Sequence, residues 1–217
     1  MIKKVLSGAL RKSRSGNRLL TIRSLVLNGY LKERGWIDSV IDSMPVDAKG
    51  QPIPWYTYPS IDFIGARVRP GMSVFEFGSG NSTLWWSSRS SRVVSVEHDA
   101  GWYGVMKGRL PDNVSYTHVA LDTDGAYAHA AARQDERFDV IVIDGRDRVH
   151  CTKASLGALK ADGVIVFDNS DRTEYEQGYE FLRASGFRRL DFWGMGPINS
   201  YGWCTSVFYR AVNCFGI

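Results

Sequence analysis

The residues at positions 76–83 are small and polar in a pattern that suits ligand binding. Two glycines, Gly78 and Gly80, allow a tight turn and let a ligand approach the backbone closely. An acid, Glu76, precedes the first glycine, and a helix that begins in this loop would add free backbone N–H groups. The loop therefore predicts a ligand-binding site, with three hydroxyl side chains as further donors: Ser79, Ser82 and Thr83.

Two further acids follow the next apolar runs of the chain. Glu97 comes directly after residues 93–96, and Asp122 follows residues 115–119. A carboxylate in the first place can accept both hydroxyl groups of a ribose, and one in the second place can accept an adenine amino group. Together with the loop, these acids predict a pocket for a nucleoside.

The loop differs from the fingerprint of dinucleotide-binding proteins. That fingerprint is G-x-G-x-x-G, whereas Thr83 stands at the sixth position here. The carboxylate of Glu76 would repel a pyrophosphate and attract a cationic ligand. S-adenosylmethionine carries a sulfonium and an ammonium group and no phosphate, so it fits this loop better. A nicotinamide-dependent oxidoreductase stays open as the alternative.

Short apolar runs of strand length must position these side chains. Strand alternating with helix predicts a parallel sheet that is buried on both faces, and such sheets bind ligands beyond the carboxyl ends of their strands. A helix is predicted over residues 175–184, and two adjacent strands after it predict an antiparallel hairpin. The predicted strands are residues 73–77, 93–96, 115–119, 140–143 and 164–167, and then 188–193 and 205–210.

Four stretches resemble successive motifs of the class I S-adenosylmethionine-dependent methyltransferases. They are residues 75–83, 94–99, 138–145 and 159–164, within a resemblance that covers about residues 72–210. The resemblance implies an α/β, Rossmann-like, doubly wound fold with a mainly parallel seven-stranded sheet and an antiparallel last strand. It also implies methyl transfer from S-adenosylmethionine.

Acids at two later strand ends point to the acceptor side. Asp144 ends the fourth predicted strand, and Asp168 with Asn169 ends the fifth. This pattern resembles the metal site of catechol O-methyltransferase-like enzymes, and two carboxylates with an amide oxygen suit Mg²⁺. A bound metal would lower the pKa of a substrate hydroxyl. Alternatively, Asp144 contacts the cofactor while Asp168 and Asn169 cap a helix or turn.

The identity of the catalytic base is open in the sequence. The resembling enzymes carry a lysine three residues after the first metal-binding aspartate, but Asp147 stands at that position here. His150 lies six residues beyond Asp144, and a histidine can abstract a proton near neutral pH. Asp144 and His150 are therefore the predicted catalytic residues.

Two stretches rich in aromatic residues are predicted to frame the site. Residues 54–63 precede the first strand, and residues 193–203 join the last two strands. Aromatic faces beside Asn, Ser and Gly suit a sugar or an aromatic acceptor. The predicted substrate is thus a small-molecule or saccharide hydroxyl, with N-methylation by the same fold as an alternative.

Charge divides the chain into a basic leader and a main domain. Residues 1–35 contain nine Lys or Arg and one acid, whereas the remainder has a net charge of −4. We predict a helical N-terminal extension over residues 1–50 and a methyltransferase domain over 51–217. The leader has no uninterrupted apolar core, so we expect a cytoplasmic protein with no transmembrane segment, in which the leader could contact an anionic membrane surface weakly. No aromatic residue lies among the first 29, so nucleic acid is not an expected partner.

Overall fold

The structure is a computed structural model, and it describes residues 13–121 and 125–217. Within the described residues, four helices precede the first strand: α1 (Arg14–Leu27), α2 (Tyr30–Glu33), α3 (Trp36–Asp42) and α4 (Tyr58–Gly65). The strands are β1 (Ser73–Phe77), β2 (Arg92–Glu97), β3 (Val114–His118), β4 (Phe138–Ile143), β5 (Leu159–Asp168), β6 (Arg188–Met195) and β7 (Gly202–Tyr209). The helices between them are α5 (Asn81–Ser87), α6 (Ala100–Lys107), α7 (Arg148–Ser155) and α8 (Glu176–Ala184), and short 3₁₀ turns cover Leu156–Ala158 and Thr173–Tyr175.

The strands form one seven-stranded sheet, in the order β3-β2-β1-β4-β5-β7-β6. Strands β1 to β5 pair in parallel, whereas β7 is antiparallel to both β5 and β6. The predicted α/β class, the mainly parallel sheet and the antiparallel last strand are confirmed. The order reverses at β1, and the loops after β1 and β4 therefore flank a crevice in which doubly wound proteins bind ligands.

The hydrophobic core has two layers, one on each face of the sheet. Along β4, Ile141 and Ile143 enter one cluster, and Val140 and Val142 enter the other. All four side chains are fully buried. Because both faces are covered, the central strands are continuously apolar rather than alternating, which is why they were visible in the sequence.

The segment before the first strand packs onto the domain through specific hydrogen bonds. The Trp36 indole donates to the Asn199 carbonyl at 3.0 Å, and the Asn81 amide donates to the Pro45 carbonyl at 2.6 Å. Gly35 has φ +71°, and a Cβ there would lie 2.3 Å from the Asp47 carbonyl carbon, so this bend requires glycine. The boundary at residue 50 stays a prediction, but the chain on both sides of it contributes to one body. Of the helices in the described part of the chain, none combines the length and apolar character of a membrane span.

Candidate active site

The loop between β1 and α5 passes close to the end of β4. Gly78 has φ +97°, and a Cβ there would lie 3.3 Å from the Cα and N atoms of Gly145. Only glycine adopts this conformation readily and leaves room for the neighbouring backbone. Glycine is therefore required at Gly78 by the neighbouring backbone of the protein itself, and the predicted close approach of a ligand stays a prediction.

Glu76 lies fully buried beneath this loop. Its Oε2 accepts a hydrogen bond from the Thr83 hydroxyl at 2.5 Å, and the Gly80 amide donates to that same hydroxyl at 3.1 Å. Its Oε1 has no hydrogen-bond partner. Burial raises the pKa of Glu76 to about 7, while hydrogen bonds from Ser82 and Thr83 oppose the rise. The residue in the sixth position of the loop thus holds this acid in place.

A second unpartnered acceptor lies next to the same loop. The Oδ1 atom of Asn81 is buried without a hydrogen-bond partner. Buried polar atoms are almost always hydrogen-bonded, so unsatisfied acceptors on Asn81 and Glu76 indicate a site for donors supplied by a ligand. The ammonium group of S-adenosylmethionine has such donors and a positive charge, so these residues fit that cofactor.

Glu97 ends β2 beside the glycine loop, as predicted. Its Oε2 accepts a hydrogen bond from the Ser79 hydroxyl at 2.7 Å, and its Oε1 accepts from the backbone amides of His98 and Asp99 at 2.9 and 3.0 Å. The Tyr116 hydroxyl lies 2.7 Å from the same Ser79 oxygen. The carboxylate is therefore fixed in orientation at the carboxyl end of the strand. Asp122, the predicted adenine partner, lies outside the described residues.

Two cavities meet at the carboxyl ends of the strands. The smaller one, of about 460 Å³, contains Gly78, Ser79 and Glu97, and we call it the cofactor cavity. The larger one, of about 860 Å³, contains Ser79, Gly80, Asn81 and Ser82, and we call it the acceptor cavity. The walls of both include the same six residues: Ser79, Trp102, Asp144, Arg148, Asn169 and Arg172.

Both predicted aromatic stretches contribute to the acceptor cavity. Trp55 comes from the first stretch, and Asn199, Tyr201 and Trp203 come from the second. Trp55 and Tyr201 keep 43% and 64% of their surface exposed, so their rings are accessible at the mouth of the cavity. Residues 43–45 of the predicted N-terminal extension complete the wall. The extension thus forms part of the site.

The structure brings Asp144, Asp168 and Asn169 to the acceptor cavity, together with a buried cation. The guanidinium of Arg148 donates from Nη2 to Asp144 Oδ1 at 3.1 Å and to the Asp144 carbonyl at 3.0 Å. Its Nη1 donates to the Asp168 carbonyl, and its Nε donates to the Gly145 carbonyl at 2.9 Å. Burial raises the pKa of Asp144, the neighbouring Asp168 adds to the rise, and Arg148 opposes it.

These residues do not fit the predicted divalent metal. The Oδ1 atom of Asp168 accepts hydrogen bonds from the Thr205 hydroxyl at 2.5 Å and the Trp203 indole at 3.0 Å, so it is committed to β7. Arg148 places a positive charge against Asp144, where a second cation would be repelled. Within residues 13–121 and 125–217, no group of three or more His, Cys, Asp or Glu side chains is arranged to hold a metal ion.

His150 is not brought to the site. Its side chain is 72% exposed and pairs with Asp147 at 2.6 Å on the outer surface of α7. Arg148 points into the cavities, and a residue two positions further along a helix is rotated by about 200° to the opposite side. The prediction of His150 as a catalytic base therefore finds no support in the geometry.

Of the six residues that line both cavities, three were missed by the sequence reasoning: Trp102, Arg148 and Arg172. Trp102 lies in α6, whose N-terminus is capped by Asp99, and its indole donates to the Ser79 carbonyl at 2.9 Å. Arg148 lies four residues after Asp144, and a basic residue so close in sequence to a predicted site acid could have identified it. Nothing comparable in the sequence singles out Trp102, because aromatic residues at helical positions are usually part of the core.

Comparison with known proteins identifies the fold. The sequence matches no family model and no curated protein sequence. Among solved structures, the O-methyltransferase from Bacillus cereus in complex with SAH (S-adenosylhomocysteine) has a TM-score of 0.57 at 20% identity, over 88% of this chain and 96% of that one. A precorrin-6y C5,15-methyltransferase from Geobacter metallireducens has a TM-score of 0.55 at 16% identity, over 70% and 87%. An rRNA methylase from Streptococcus thermophilus has a TM-score of 0.53 at 15% identity, over 70% and 96%.

The chain has the fold of the class I S-adenosylmethionine-dependent methyltransferases, as its motifs predicted. The three similar structures differ in the acceptors that their names state, so the fold by itself does not identify an acceptor for this chain.

Proposed function

We propose that this protein is an S-adenosylmethionine-dependent methyltransferase that methylates a hydroxyl oxygen of a small molecule or saccharide. One observation carries the proposal. A cofactor cavity with the glycine loop and Glu97 opens beside a larger cavity with aromatic and polar walls, and Asp144 belongs to both. A methyl donor in the first cavity and an acceptor in the second would meet at Asp144.

The residues around the glycine loop offer a partner for each part of the donor. Glu97, in the cofactor cavity, is placed to accept the ribose hydroxyls. Asn81, in the wall of the acceptor cavity, and Glu76, beneath the loop, have buried acceptor atoms free for the ammonium group. The backbone of Gly78 allows close approach. When bound, S-adenosylmethionine supplies a methyl group on a positively charged sulfur. The acids lower the free energy of this cation, whereas they would raise that of a dinucleotide's pyrophosphate.

The acceptor cavity suits a polyhydroxylated molecule. The exposed faces of Trp55 and Tyr201 can cover the apolar face of a sugar ring, while Asn199 and Asp171 offer hydrogen bonds at its edge. Asp144 can accept a hydrogen bond from the hydroxyl that is to be methylated, and its raised pKa makes it a stronger base for the proton that this hydroxyl loses. Much of the rate would come from positioning.

Calorimetry and product analysis test the proposal together. We expect S-adenosylmethionine and S-adenosylhomocysteine to bind, and NAD not to bind. Glu97→Gln should weaken both adenosyl ligands at least tenfold, or about 1.4 kcal/mol, because the amide nitrogen cannot accept a hydrogen bond. Glu180→Gln, on the exposed face of α8, is the matched control. Binding of NAD without S-adenosylmethionine would overturn the assignment.

The acceptor is tested by transfer of labelled methyl groups to a panel of sugars, phenols and amines. An O-methylated sugar or small molecule is the expected product. Labelling of amines alone would favour N-methylation, the alternative that the fold equally permits.

We also propose a cytoplasmic location, which the free thiols of Cys151, Cys204 and Cys214 support.

A further inference from the structure

Arg148 is a buried cation at the point where the ends of β4 and β5 meet. Its side chain is 8% exposed. All three guanidinium nitrogens donate hydrogen bonds, to the backbone at Asp144, Gly145 and Asp168 and to the Asp144 carboxylate. The ring of Tyr175 lies 5.4 Å from the guanidinium carbon. A charged side chain that is this buried and this fully bonded has a fixed position.

The two strand ends that Arg148 joins are those whose acids resemble metal ligands. A divalent ion at this place would need free oxygens from Asp144 and Asp168 at about 2.0–2.6 Å. One oxygen of each is already committed, to Arg148 and to the side chains of Thr205 and Trp203 respectively. The guanidinium thus supplies the positive charge that the paired acids require. Unlike a metal ion, this charge is a covalent part of the chain.

We propose that Arg148 takes the place of a divalent metal between the ends of β4 and β5, so that the acceptor cavity works without a metal ion. The guanidinium neutralises Asp144 and holds the two loops at the spacing that the cavities need. A metal ion would act here as a point charge bound from solution, whereas the guanidinium of Arg148 is a planar hydrogen-bond donor whose nitrogens reach both strand ends. The part of this inference that concerns turnover rests on the proposed methyltransferase function.

Binding of Mn²⁺, followed by electron paramagnetic resonance, tests the proposal without any need for activity. Wild-type protein should leave Mn²⁺ free in solution at millimolar concentration. Arg148→Gln removes the cation and leaves the two acids, so we expect it to bind one Mn²⁺ at least tenfold more tightly than wild type. Arg148→Lys keeps a positive charge and should not gain this binding. Arg183→Ala, which removes an exposed arginine that pairs with Glu176, is the matched control.

Several outcomes would overturn the proposal. The first is that wild type binds Mn²⁺ stoichiometrically and Asp144→Asn abolishes this binding. The second is that Arg148→Gln folds and binds S-adenosylhomocysteine but still does not bind Mn²⁺. If Arg148→Gln does not fold, the wild-type titration decides. Turnover, once an acceptor is known, should be unchanged by EDTA. If no methyl transfer is found, the Mn²⁺ titrations still test Arg148, so the two failures are distinguishable.

Discussion

The buried carboxyl of Glu76 should make the stability of the protein depend on pH. Burial raises its pKa from 4.5 to about 7. Between these values the folded protein keeps a proton that the unfolded chain has released, so the free energy of unfolding falls as pH rises through this window. Each pKa unit corresponds to about 1.4 kcal/mol, so the contribution amounts to roughly 3 kcal/mol.

Glu76→Gln removes this titration and keeps the size of the side chain. Its carbonyl oxygen can still accept the hydrogen bond from the Thr83 hydroxyl. We expect urea denaturation to show that wild type loses roughly 3 kcal/mol relative to this variant between about pH 4 and pH 8. Effects of the substitution that do not depend on pH cancel in that comparison. Parallel curves for the two proteins would refute the argument that Glu76 is protonated when the cofactor is absent.

The cofactor should change the protonation of the same group. A cation beside Glu76 favours its charged form, so binding of S-adenosylmethionine near pH 7 should release a proton. Calorimetry in buffers with different ionisation enthalpies measures this release. The wild-type binding enthalpy should vary with the buffer, and that of Glu76→Gln should vary less. If the binding enthalpies of both proteins depend equally on the buffer, the released proton comes from a group other than Glu76.

Two further substitutions separate the cavities. Gly78→Ala forces a side chain into a positive-φ position near Gly145, so it should lower the free energy of unfolding by about 1–2 kcal/mol in urea denaturation. It should also weaken the binding of S-adenosylmethionine at least tenfold in calorimetry. Wild-type affinity would contradict the argument that this position requires glycine. Trp55→Ala removes a side chain that lines the acceptor cavity alone. It should raise the acceptor KM about five- to tenfold, or ~1 kcal/mol, and leave the Kd of S-adenosylmethionine within about twofold of the wild-type value. The reverse result would mean that Trp55 contacts the cofactor.

The sheet was predictable because its central strands are buried on both faces. Continuous apolar runs mark such strands, and all seven were placed with shifts at their ends. The first residues of β5 were missed because Lys160 and Asp162 are polar. Lys160 pairs with Asp139 at 2.8 Å, so a charged residue extends the strand there without an unpaired charge. Only tertiary pairing reveals this.

The N-terminal helices show what local pattern leaves out. The N-terminal extension was predicted simply as helical, whereas residues 14–42 form three helices, of which the first two end near Asn28 and Arg34. The second break depends on Gly35, which has a positive φ and where a Cβ would clash with the Asp47 backbone. That contact joins residues on either side of α3, so no helical periodicity could show it.

The strand ends that carry Glu76 and Glu97 were easier to predict than the positions of the residues around the acceptor cavity. Glu76 and Glu97 lie at adjacent strand ends, and strand order follows from the βαβ rule. The acceptor side depends on the direction of side chains from α7, which is set by where the helix begins. Its start at Arg148 directs that residue inward and His150 outward. The N-cap residue Asp147 makes no capping hydrogen bond, so the sequence does not fix that rotation.

The division of the walls between the two cavities has an evolutionary consequence. Residues 43–45 and the turn that contains Asn199 and Tyr201 contribute to the acceptor cavity and not to the cofactor cavity. Under the proposed function, mutations in these two segments would change substrate preference and leave the glycine loop intact. Descendants of this chain would then diversify in the molecules that they methylate while inheriting the same methyl donor.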